Sequence, residues 1–128
     1  MRQYSILILG ASYGSLLATK LLLAGHRVTL VCTRPTAELI NRAGTRVRFP
    51  LKGRESPIEI ASGQCPGELS ARTPDEVEPG AFDLVVLGMQ EAQYGAPGVR
   101  ALMGRIASSR KPCFAIMNMP PLPYLKRI

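Results

Sequence analysis

The sequence predicts an α/β fold in which helices flank a doubly wound, mostly parallel sheet. Three short runs, Tyr4–Leu9, Val28–Cys32 and Leu84–Gly88, are almost wholly apolar and rich in Ile, Leu and Val. Such runs are typical of parallel strands that are buried on both faces. Apolar residues at helical spacing follow the first and the last run, so strands and helices alternate along the chain.

The first helix is predicted to begin at Tyr13 and to end at Gly25, a residue that favours the backbone conformation found after helix ends. It joins the strand Tyr4–Leu9 to the strand Val28–Cys32, and the connection has the length that a parallel crossover requires. The apolar residues of this helix are predicted to share one face. They are Tyr13, Leu16, Leu17, Leu21 and Ala24.

The remaining elements follow from the same periodicities. Thr36–Ala43 is predicted to be a short helix. Residues 50–80 are rich in proline and glycine, which favours hairpins and turns, and Ile58–Ala61 is the best strand candidate among them. Pro97–Ser108 is predicted to be a helix, and Pro112–Met117 a strand. That helix presents four apolar residues on one face, namely Val99, Leu102, Met103 and Ile106.

The turn between the first strand and the first helix has a glycine-rich pattern that predicts a dinucleotide site. Free N–H groups and the dipole at a helix start favour negative charge, so a pyrophosphate would sit there. In a G-x-G-x-x-G register Gly10 fills the first position, and Ser12 and Ser15 stand at the other two. Gly14 offers a compensating shift of one residue, and an ordinary packing turn is the alternative. The candidate contact residues are Gly10, Ala11, Ser12, Tyr13, Gly14 and Ser15.

The end of the second strand distinguishes between two forms of such a cofactor. An acidic residue there would accept hydrogen bonds from the ribose hydroxyls of NAD, whereas an arginine accommodates the 2′-phosphate of NADP. This chain has Thr33 and Arg34 there and no acid before Glu38, which also counts against an S-adenosylmethionine methyltransferase. Because Arg34 offers a planar, bidentate fork to a phosphate, NADP(H) is the predicted cofactor. A solvated surface arginine is the alternative.

Composition and charge favour a cytoplasmic protein with no nucleic-acid and no membrane partner. The formal net charge is +7 and basic residues cluster in 42–54, but the alternation in Thr45–Leu51 predicts a strand whose arginines face solvent. No run approaches the ~20 apolar residues of a membrane span. Three cysteines and one histidine, without a C-x-x-C pair, support neither a disulfide framework nor a metal site.

The length of 128 residues has room for one domain, and residues 1–128 are predicted to be a dinucleotide-binding domain. Nicotinamide dehydrogenases usually have two domains. The segment 120–128 is apolar and has neither a helix stop nor a polar tail. We therefore expect the chain to be truncated before a helical second domain that binds the substrate.

The tips of the later strands complete the predicted site, because ligands of a doubly wound sheet lie beyond the carboxyl ends of its strands. These tips are Gly88–Gln93 and residues 118–120. The first belongs to the segment Asp83–Gln93, DLVVLGMQEAQ. Together with the glycine turn and Arg34, these segments resemble the N-terminal NADP-binding domain of the ketopantoate reductase family. That family belongs to the Rossmann-like proteins related to 6-phosphogluconate dehydrogenase.

The resemblance covers nearly the whole chain, from the first strand to about Asn118. In the family a lysine and, three residues later, a glutamine follow this strand. Gln93 matches that glutamine, whereas Gln90 replaces the lysine. Met89, Gln90 and Gln93 are thus predicted to contact the cofactor, with a polar loop surface as the alternative for the two glutamines. Of the family's Gln-Asn-Gly segment only Asn118 is present, and it is the one predicted catalytic residue, orienting cofactor and substrate.

The resemblance implies an NADP-dependent oxidoreductase related to ketopantoate reductase (2-dehydropantoate 2-reductase), which transfers a hydride to a small oxo acid or related substrate. Gln90 lacks the charge that would hold an anionic substrate, so ketopantoate itself is in doubt. The family's proton donor is a lysine of the C-terminal domain, so these residues are expected to bind NADPH without reducing a keto acid. Alternatives are a stand-alone dinucleotide-binding or sensing module and an opine or sugar-phosphate dehydrogenase relative. A homo-oligomer is left open.

Overall fold

The computed structural model describes residues 2–50, 52–53 and 55–116. Its strands are β1 Ser5–Leu9, β2 Arg27–Val31, β3 Arg46–Phe49, β4 Ile58–Ala61, β5 Glu68–Arg72, β6 Leu84–Leu87 and β7 Cys113–Ala115. Its α-helices are α1 Ala11–Leu23, α2 Arg34–Ala43 and α3 Pro97–Ser109. Short 3-10 helices lie in the connections, at Ser62–Gln64, Pro74–Glu76, Pro79–Ala81 and Glu91–Gly95.

Five strands form one parallel sheet in the order β5-β2-β1-β6-β7. The chain starts at the central strand β1, moves outward through β2 to β5, and then returns to the other side of β1 for β6 and β7. The last residue of β1, Leu9, lies opposite Val31 of β2 and opposite Leu87 of β6. The strands therefore end in one row, and the strand order reverses between β1 and β6. The predicted doubly wound fold is confirmed.

The strand β1 is buried on both faces, as its apolar run predicts. Ile6 and Ile8 belong to a cluster that includes residues of α1 and α2. Leu7 and Leu9 belong to a second cluster that includes residues of α3. Burial of such side chains stabilises the fold by about 1.5–3 kcal/mol each. The helices thus cover the sheet on both faces.

The helix α1 begins at Ala11, earlier than the predicted Tyr13, and its predicted apolar face is only partly correct, since Leu17 and Leu21 pack against the core but Tyr13 and Leu16 do not. The buried residues are Gly14, Ala18, Thr19 and Leu22. In contrast, the side chains of Tyr13 and Leu16 are 51% and 45% exposed. Small residues face the sheet because α1 lies very close to β1: a Cβ at Gly14 would come within 2.5 Å of Ile8 Cγ2. Of the larger side chains, Leu22 is fully buried and Leu17 and Leu21 pack partly against the core, whereas Tyr13 and Leu16 point toward solvent.

The helix α2 begins at Arg34, two residues before the predicted start at Thr36, and Thr33 is its N-cap residue. Pro35 fits inside the first turn because the N–H that it lacks has no intrahelical acceptor there. The helix ends as predicted before Gly44, whose φ of +73° places it in the left-handed region. Arg34 therefore belongs to a helix N-terminus rather than to a strand tip.

The strands β3 and β4 form an antiparallel hairpin outside the main sheet. Arg46 and Arg48 are exposed and lie 3.5 Å and 4.0 Å from the carboxylate oxygens of Glu59. The alternate residues Val47 and Phe49 are half-buried. The prediction of a strand with solvent-facing arginines is confirmed, as is the predicted strand Ile58–Ala61.

The strand β5 was not predicted, and the assignment of residues 50–80 to hairpins and turns is wrong there. Its sequence, ELSAR, is polar, yet it pairs in parallel with β2 along its whole length. Polar pairs link the two strands: Arg27 Nε lies 3.0 Å from Glu68 Oε2, and the Thr29 and Ser70 hydroxyls are hydrogen-bonded at 2.9 Å. The connection from β5 to β6 contains short 3-10 helices rather than an α-helix. The face of β5 that carries Glu68, Ser70 and Arg72 therefore stays polar and accessible to solvent.

The remaining elements agree closely with the sequence. The buried residues of α3 are the four predicted ones, Val99, Leu102, Met103 and Ile106. The strand β7 lies within the predicted Pro112–Met117, and Met117 is outside the described residues. Within the described ranges, none of the helices has both the length and the apolar character needed to cross a bilayer.

Candidate functional site

The carboxyl ends of the five strands meet at one edge of the sheet. The terminal row runs from Arg72 through Val31, Leu9 and Leu87 to Ala115. The residues that follow these positions, including the glycine turn and the starts of α1 and α2, must therefore lie close together. Because the strand order reverses between β1 and β6, this edge opens into the crevice where doubly wound proteins bind ligands.

Gly10 forms the corner between β1 and α1. Its φ of +106° is rare for residues with side chains, and a Cβ there would come within 2.7 Å of the Gly88 carbonyl oxygen. The Gly10 N–H donates to Val31 O at 2.9 Å, and the Gly88 N–H donates to Leu9 O at 2.8 Å. The corner is thus held by its neighbours on both sides, and only glycine fits it.

The N-terminus of α1 faces the crevice without a cap. Among the described residues no side chain caps this end, and the first turn contains no acidic residue. The first intrahelical bond runs from the Gly14 N–H to Gly10 O at 3.1 Å, so the amides of Ala11, Ser12 and Tyr13 precede the helical ladder. These N–H groups and the helix dipole make this end a favourable place for an anion.

The shift in the glycine pattern has a structural explanation. Gly14 is buried, and its missing side chain lets α1 approach β1. This is the helix-packing role of the third glycine in the dinucleotide pattern, moved by one residue. Ser15 is half-buried and donates from its hydroxyl to Ser12 O at 3.0 Å. The alternative that Gly14 compensates for the irregular register therefore agrees with the packing better than a strict register does.

Two clefts open from the glycine turn, and they share Gly10, Ala11, Ser12 and Gln93. The first, which we call the β2 lobe, has a volume of about 470 Å³ and extends over residues 31–33, Thr36, Pro74, Met89 and the start of α3. The second, which we call the β6 lobe, has a volume of about 290 Å³ and adds Tyr13, Gly88 and Gln90. A ligand bound across both lobes would have its middle at the N-terminus of α1.

The β2 lobe is bordered by the N-terminus of α2. The Thr33 hydroxyl donates to Thr36 Oγ1 at 3.0 Å. Arg34, at the first helical position, is exposed at this rim. Cys32 lines the lobe, and burial raises the pKa of its thiol, so the thiol is uncharged at neutral pH.

The described residues that line the β6 lobe are uncharged, and two of their polar side chains are hydrogen-bonded to each other. Gln90 Nε2 donates to the Tyr13 hydroxyl at 2.7 Å. The Gln90 N–H donates to Gln93 Oε1 at 2.8 Å, which fixes the short helix that begins at the next residue. Beneath them, the Met89 N–H donates to the hydroxyl oxygen of the buried Tyr94 at 3.2 Å. The glutamines therefore have a local structural role as well as a place on the cleft.

Most of the predicted contact residues come together at these lobes. Eight of them line one lobe or both: Gly10, Ala11, Ser12, Tyr13, Thr33, Met89, Gln90 and Gln93. Gly14 and Ser15 lie behind the glycine turn, and Arg34 lies at the rim. Asn118, the predicted catalytic residue, lies outside the described residues. The contacts of all these residues with a cofactor stay predictions.

The structure adds residues to the β2 lobe that sequence reasoning missed. They are Thr36, Pro74, Ala96, Gly98 and Val99. Pro74 reaches the lobe because the unpredicted strand β5 lies beside β2. The start of α3 was recognised as a helix, but only the folded sheet shows that it packs beside the turn after β5. A signal for Pro74 was present in the pattern Thr73-Pro74-Asp75-Glu76, which is typical of a helix start.

The fold and the crevice define a Rossmann-type α/β domain, with a glycine corner and a helix N-terminus at its first turn. The comparison with known families narrows this class. The profile of the family described as ketopantoate reductase PanE/ApbA matches residues 6–97, well over half of the chain. The chain belongs to that family, a family of oxidoreductases that use a nicotinamide dinucleotide, and the predicted resemblance is confirmed.

A comparison with solved structures agrees on the fold. The chain is similar to a crystal structure from Ralstonia solanacearum MolK2 described as that of a "putative ketopantoate reductase". The sequence identity is 20%, the TM-score is 0.52, and the match covers 88% of this chain. It covers 31% of the Ralstonia chain, so this chain spans about a third of that length. A search of curated proteins gives no match.

Proposed function

We propose that this chain binds NADP(H) and acts as the cofactor-binding domain of an oxidoreductase that transfers a hydride to a small oxo acid or a related substrate. The observation that supports this most directly is the uncapped N-terminus of α1 at the junction of the two lobes. A dinucleotide has two nucleosides joined by a pyrophosphate, and the site has two clefts joined by an anion-binding helix end.

The pyrophosphate would be held by the amides of Ala11, Ser12 and Tyr13. Gly10 fits this role because a Cβ there would clash with the Gly88 carbonyl oxygen. Without a side chain, the backbone at this corner stays open to the crevice. Ser12 is exposed and lines both lobes, so its hydroxyl can donate to a phosphate oxygen. The site thus fits a pyrophosphate although the second glycine of the usual pattern is absent.

The adenosine half is proposed to occupy the β2 lobe, with its 2′-phosphate at Arg34. The guanidinium and the N-terminus of α2 both carry positive charge at this rim. The three ion pairs among the described residues involve Arg27, Arg46 and Arg48, so the guanidinium of Arg34 has no carboxylate in contact. It is therefore free to pair with a phosphate.

The nicotinamide half is proposed to reach the β6 lobe, where Tyr13, Gln90 and Gln93 offer neutral hydrogen-bonding groups. When bound, the nicotinamide would supply or accept the hydride, and the chain's own residues would orient it. None of the described residues that line this lobe is charged. An anionic oxo acid would therefore need its charge partner and its proton donor from elsewhere. Asn118 is proposed to orient cofactor and substrate.

A single substitution at the helix start tests the proposal. Ser12→Asp places a carboxylate among the free amides of α1, which stabilises the helix by about 0.3–1 kcal/mol while it repels the pyrophosphate. We expect the melting temperature to stay equal or rise and the NADPH affinity, measured by nucleotide fluorescence, to fall at least about tenfold. Ser12→Asn is the matched neutral control and should lose far less affinity.

The outcomes separate a cofactor site from an ordinary packing turn. If Ser12→Asp binds NADPH as tightly as the original chain, the pyrophosphate does not lie at this helix end. If the original chain binds neither NADPH nor NADH, the proposed function itself is wrong. Oxidation of NADPH by the 128-residue chain on addition of ketopantoate would contradict the view that the proton donor is supplied from elsewhere.

A further inference from the structure

The turn that follows β5 brings two acids to the mouth of the β2 lobe. Because β5 lies beside β2 in parallel register, its end opens on the same edge of the sheet as Thr33 and Arg34. Pro74 lines the lobe, and Asp75 and Glu76 come directly after it, both exposed. The sequence places no acid at the end of β2 itself, so these carboxylates enter the site from a different strand.

The turn is fixed in place by four hydrogen bonds and one packing contact. Arg105 Nη2 donates to Pro74 O at 2.6 Å, and the Pro74 ring lies against Gly98, where a Cβ would be 3.7 Å away. The Thr73 N–H donates to Glu76 Oε1 at 2.9 Å. The single proton of the buried Thr73 hydroxyl is shared between Asp75 Oδ1 at 2.7 Å and Glu76 Oε1 at 2.6 Å. The two carboxylates therefore stand at defined positions rather than on a loose loop.

These carboxylates lie within the electrostatic reach of Arg34. Hydrogen bonds from Thr73 and, to a lesser extent, the positive charge of Arg34 hold the pKa of Asp75 and of Glu76 below the ordinary carboxyl range. Both groups are therefore negative at neutral pH. Arg34 is in none of the three ion pairs among the described residues. The acids thus lower the positive potential around the guanidinium without forming an ion pair with it.

We propose that Asp75 and Glu76 are specificity-determining residues, which weaken the preference of the β2 lobe for a 2′-phosphorylated dinucleotide over its unphosphorylated form. The inference rests on the proposed function, because it assumes that the 2′-phosphate lies at Arg34. A phosphate monoester has a charge of about −1.5 to −2 at neutral pH. It is repelled by the same two carboxylates that attract Arg34, whereas neutral ribose hydroxyls are not.

The test compares the affinities for NADPH and NADH, measured by nucleotide fluorescence in low-salt buffer at neutral pH. Asp75→Asn should raise the NADPH affinity about threefold, and Asp75→Asn with Glu76→Gln about tenfold, while the NADH affinity changes less than twofold. The Gln side chain keeps an oxygen that can accept the Thr73 bond. The gain should shrink at 0.5 M NaCl, because salt screens exposed charges.

Glu78→Gln is the matched control, since Glu78 is an exposed acid close by in sequence. It changes the net charge by the same amount and should leave the ratio of the two affinities unchanged. An equal gain in Glu78→Gln would mean that net charge alone acts, and would overturn the inference. Should Asp75→Asn melt at a lower temperature, Glu76→Gln alone supplies the comparison.

Two further results would also overturn the inference, and they differ from a failure of the proposed function. A fall in NADH affinity with unchanged NADPH affinity would mean that Asp75 accepts hydrogen bonds from the ribose. An unchanged ratio in all acid variants would mean that the carboxylates do not reach the phosphate. If the original chain binds neither nucleotide, the proposed function is wrong and the inference fails with it.

Discussion

The two lobes of the cleft differ in the kind of group that surrounds them. The β2 lobe is bordered by charged side chains on separate elements: Arg34 on α2, and Asp75 and Glu76 after β5. The β6 lobe has neutral side chains that are already bonded to each other, such as Gln90 Nε2 to the Tyr13 hydroxyl at 2.7 Å. Both lobes begin at the same helix N-terminus.

The difference indicates that the two lobes have different roles in binding. Exposed charges act over several ångströms and weaken with salt, so the β2 lobe is expected to select the cofactor by charge. Neutral hydrogen bonds act only in contact and depend on orientation, so the β6 lobe is expected to position the reacting end. In the proposed function, the helix start between them would attract the pyrophosphate, which is common to both forms of the cofactor.

The largest effect in this comparison is expected from Arg34→Ala. Loss of the guanidinium should weaken NADPH binding by about 1.5–3 kcal/mol, because a hydrogen-bonded charge pair is lost, and should change NADH binding little. The measurement is a pair of fluorescence titrations at low salt. Adenosine 2′,5′-bisphosphate, which has no nicotinamide half, should compete with NADPH for the original chain and lose affinity for Arg34→Ala to a similar extent.

The contrary outcome for Arg34 is equally specific. If Arg34→Ala weakens NADPH and NADH by the same factor, then the guanidinium acts on the pyrophosphate or on the fold and does not read the 2′-phosphate. Arg34→Lys sharpens the result, since it keeps the charge and loses the planar fork. An intermediate NADPH affinity for that variant would indicate bidentate pairing.

The second-largest effect is expected in helix α1, whose N-terminus borders both lobes. Gly14→Ala would place a Cβ within 2.5 Å of Ile8 Cγ2, whereas Gly104→Ala in α3 would meet nothing within 4 Å. Overpacking costs about 1–3 kcal/mol, and alanine gains up to about 1 kcal/mol over glycine in a helix. In chemical denaturation we expect Gly14→Ala to lose about 1 kcal/mol and Gly104→Ala to gain about 0.5–1 kcal/mol.

The glycine pair also checks the proposed geometry of the cleft. A displaced α1 moves the floor of both lobes together, so Gly14→Ala should lower the NADPH and NADH affinities by similar factors. A stable Gly14→Ala variant with unchanged binding would show that α1 does not need the close approach to β1 for the site to form.

The parts of the fold that the sequence predicts well are those whose burial is complete. The strands β1 and β6 are almost wholly apolar because helices cover both faces, β2 buries Val28, Leu30 and Val31, and α3 has one apolar stripe against the sheet. In contrast, α1 packs through Gly14, Ala18 and Thr19 as well as Leu22, and hydrophobicity does not mark such small residues as a buried face. The predicted face was therefore wrong for Tyr13 and Leu16, which are exposed.

The strand β5 shows the second limit. Three of its five residues are polar and only Leu69 and Ala71 pack on the core, so pairing with β2 marks its place more clearly than its own sequence does. Because β5 was not predicted, the sequence analysis could not place the turn Thr73–Glu76 at the β2 lobe. The site residues on the chain segments next to β1, β2 and β6 were predictable from local signals. Those that reach the cleft through a distant pairing were not.

The smallest effect is expected at the β6 lobe. Tyr13→Phe removes the acceptor of the Gln90 Nε2 bond, which is exposed to solvent and therefore contributes little to stability. Freed from Tyr13, the Gln90 amide becomes mobile, and we expect NADPH and NADH to bind about twofold more weakly, a loss of about 0.5 kcal/mol. Because no charge changes, the loss should be the same in 0.05 M and 0.5 M NaCl.

Adenosine 2′,5′-bisphosphate, which has no nicotinamide half to occupy this lobe, should bind Tyr13→Phe and the original chain equally. If the bisphosphate weakens as much as NADPH, then Tyr13 acts through the shared helix start, and the separation of the two lobes into a charge-selecting and an orienting part does not hold.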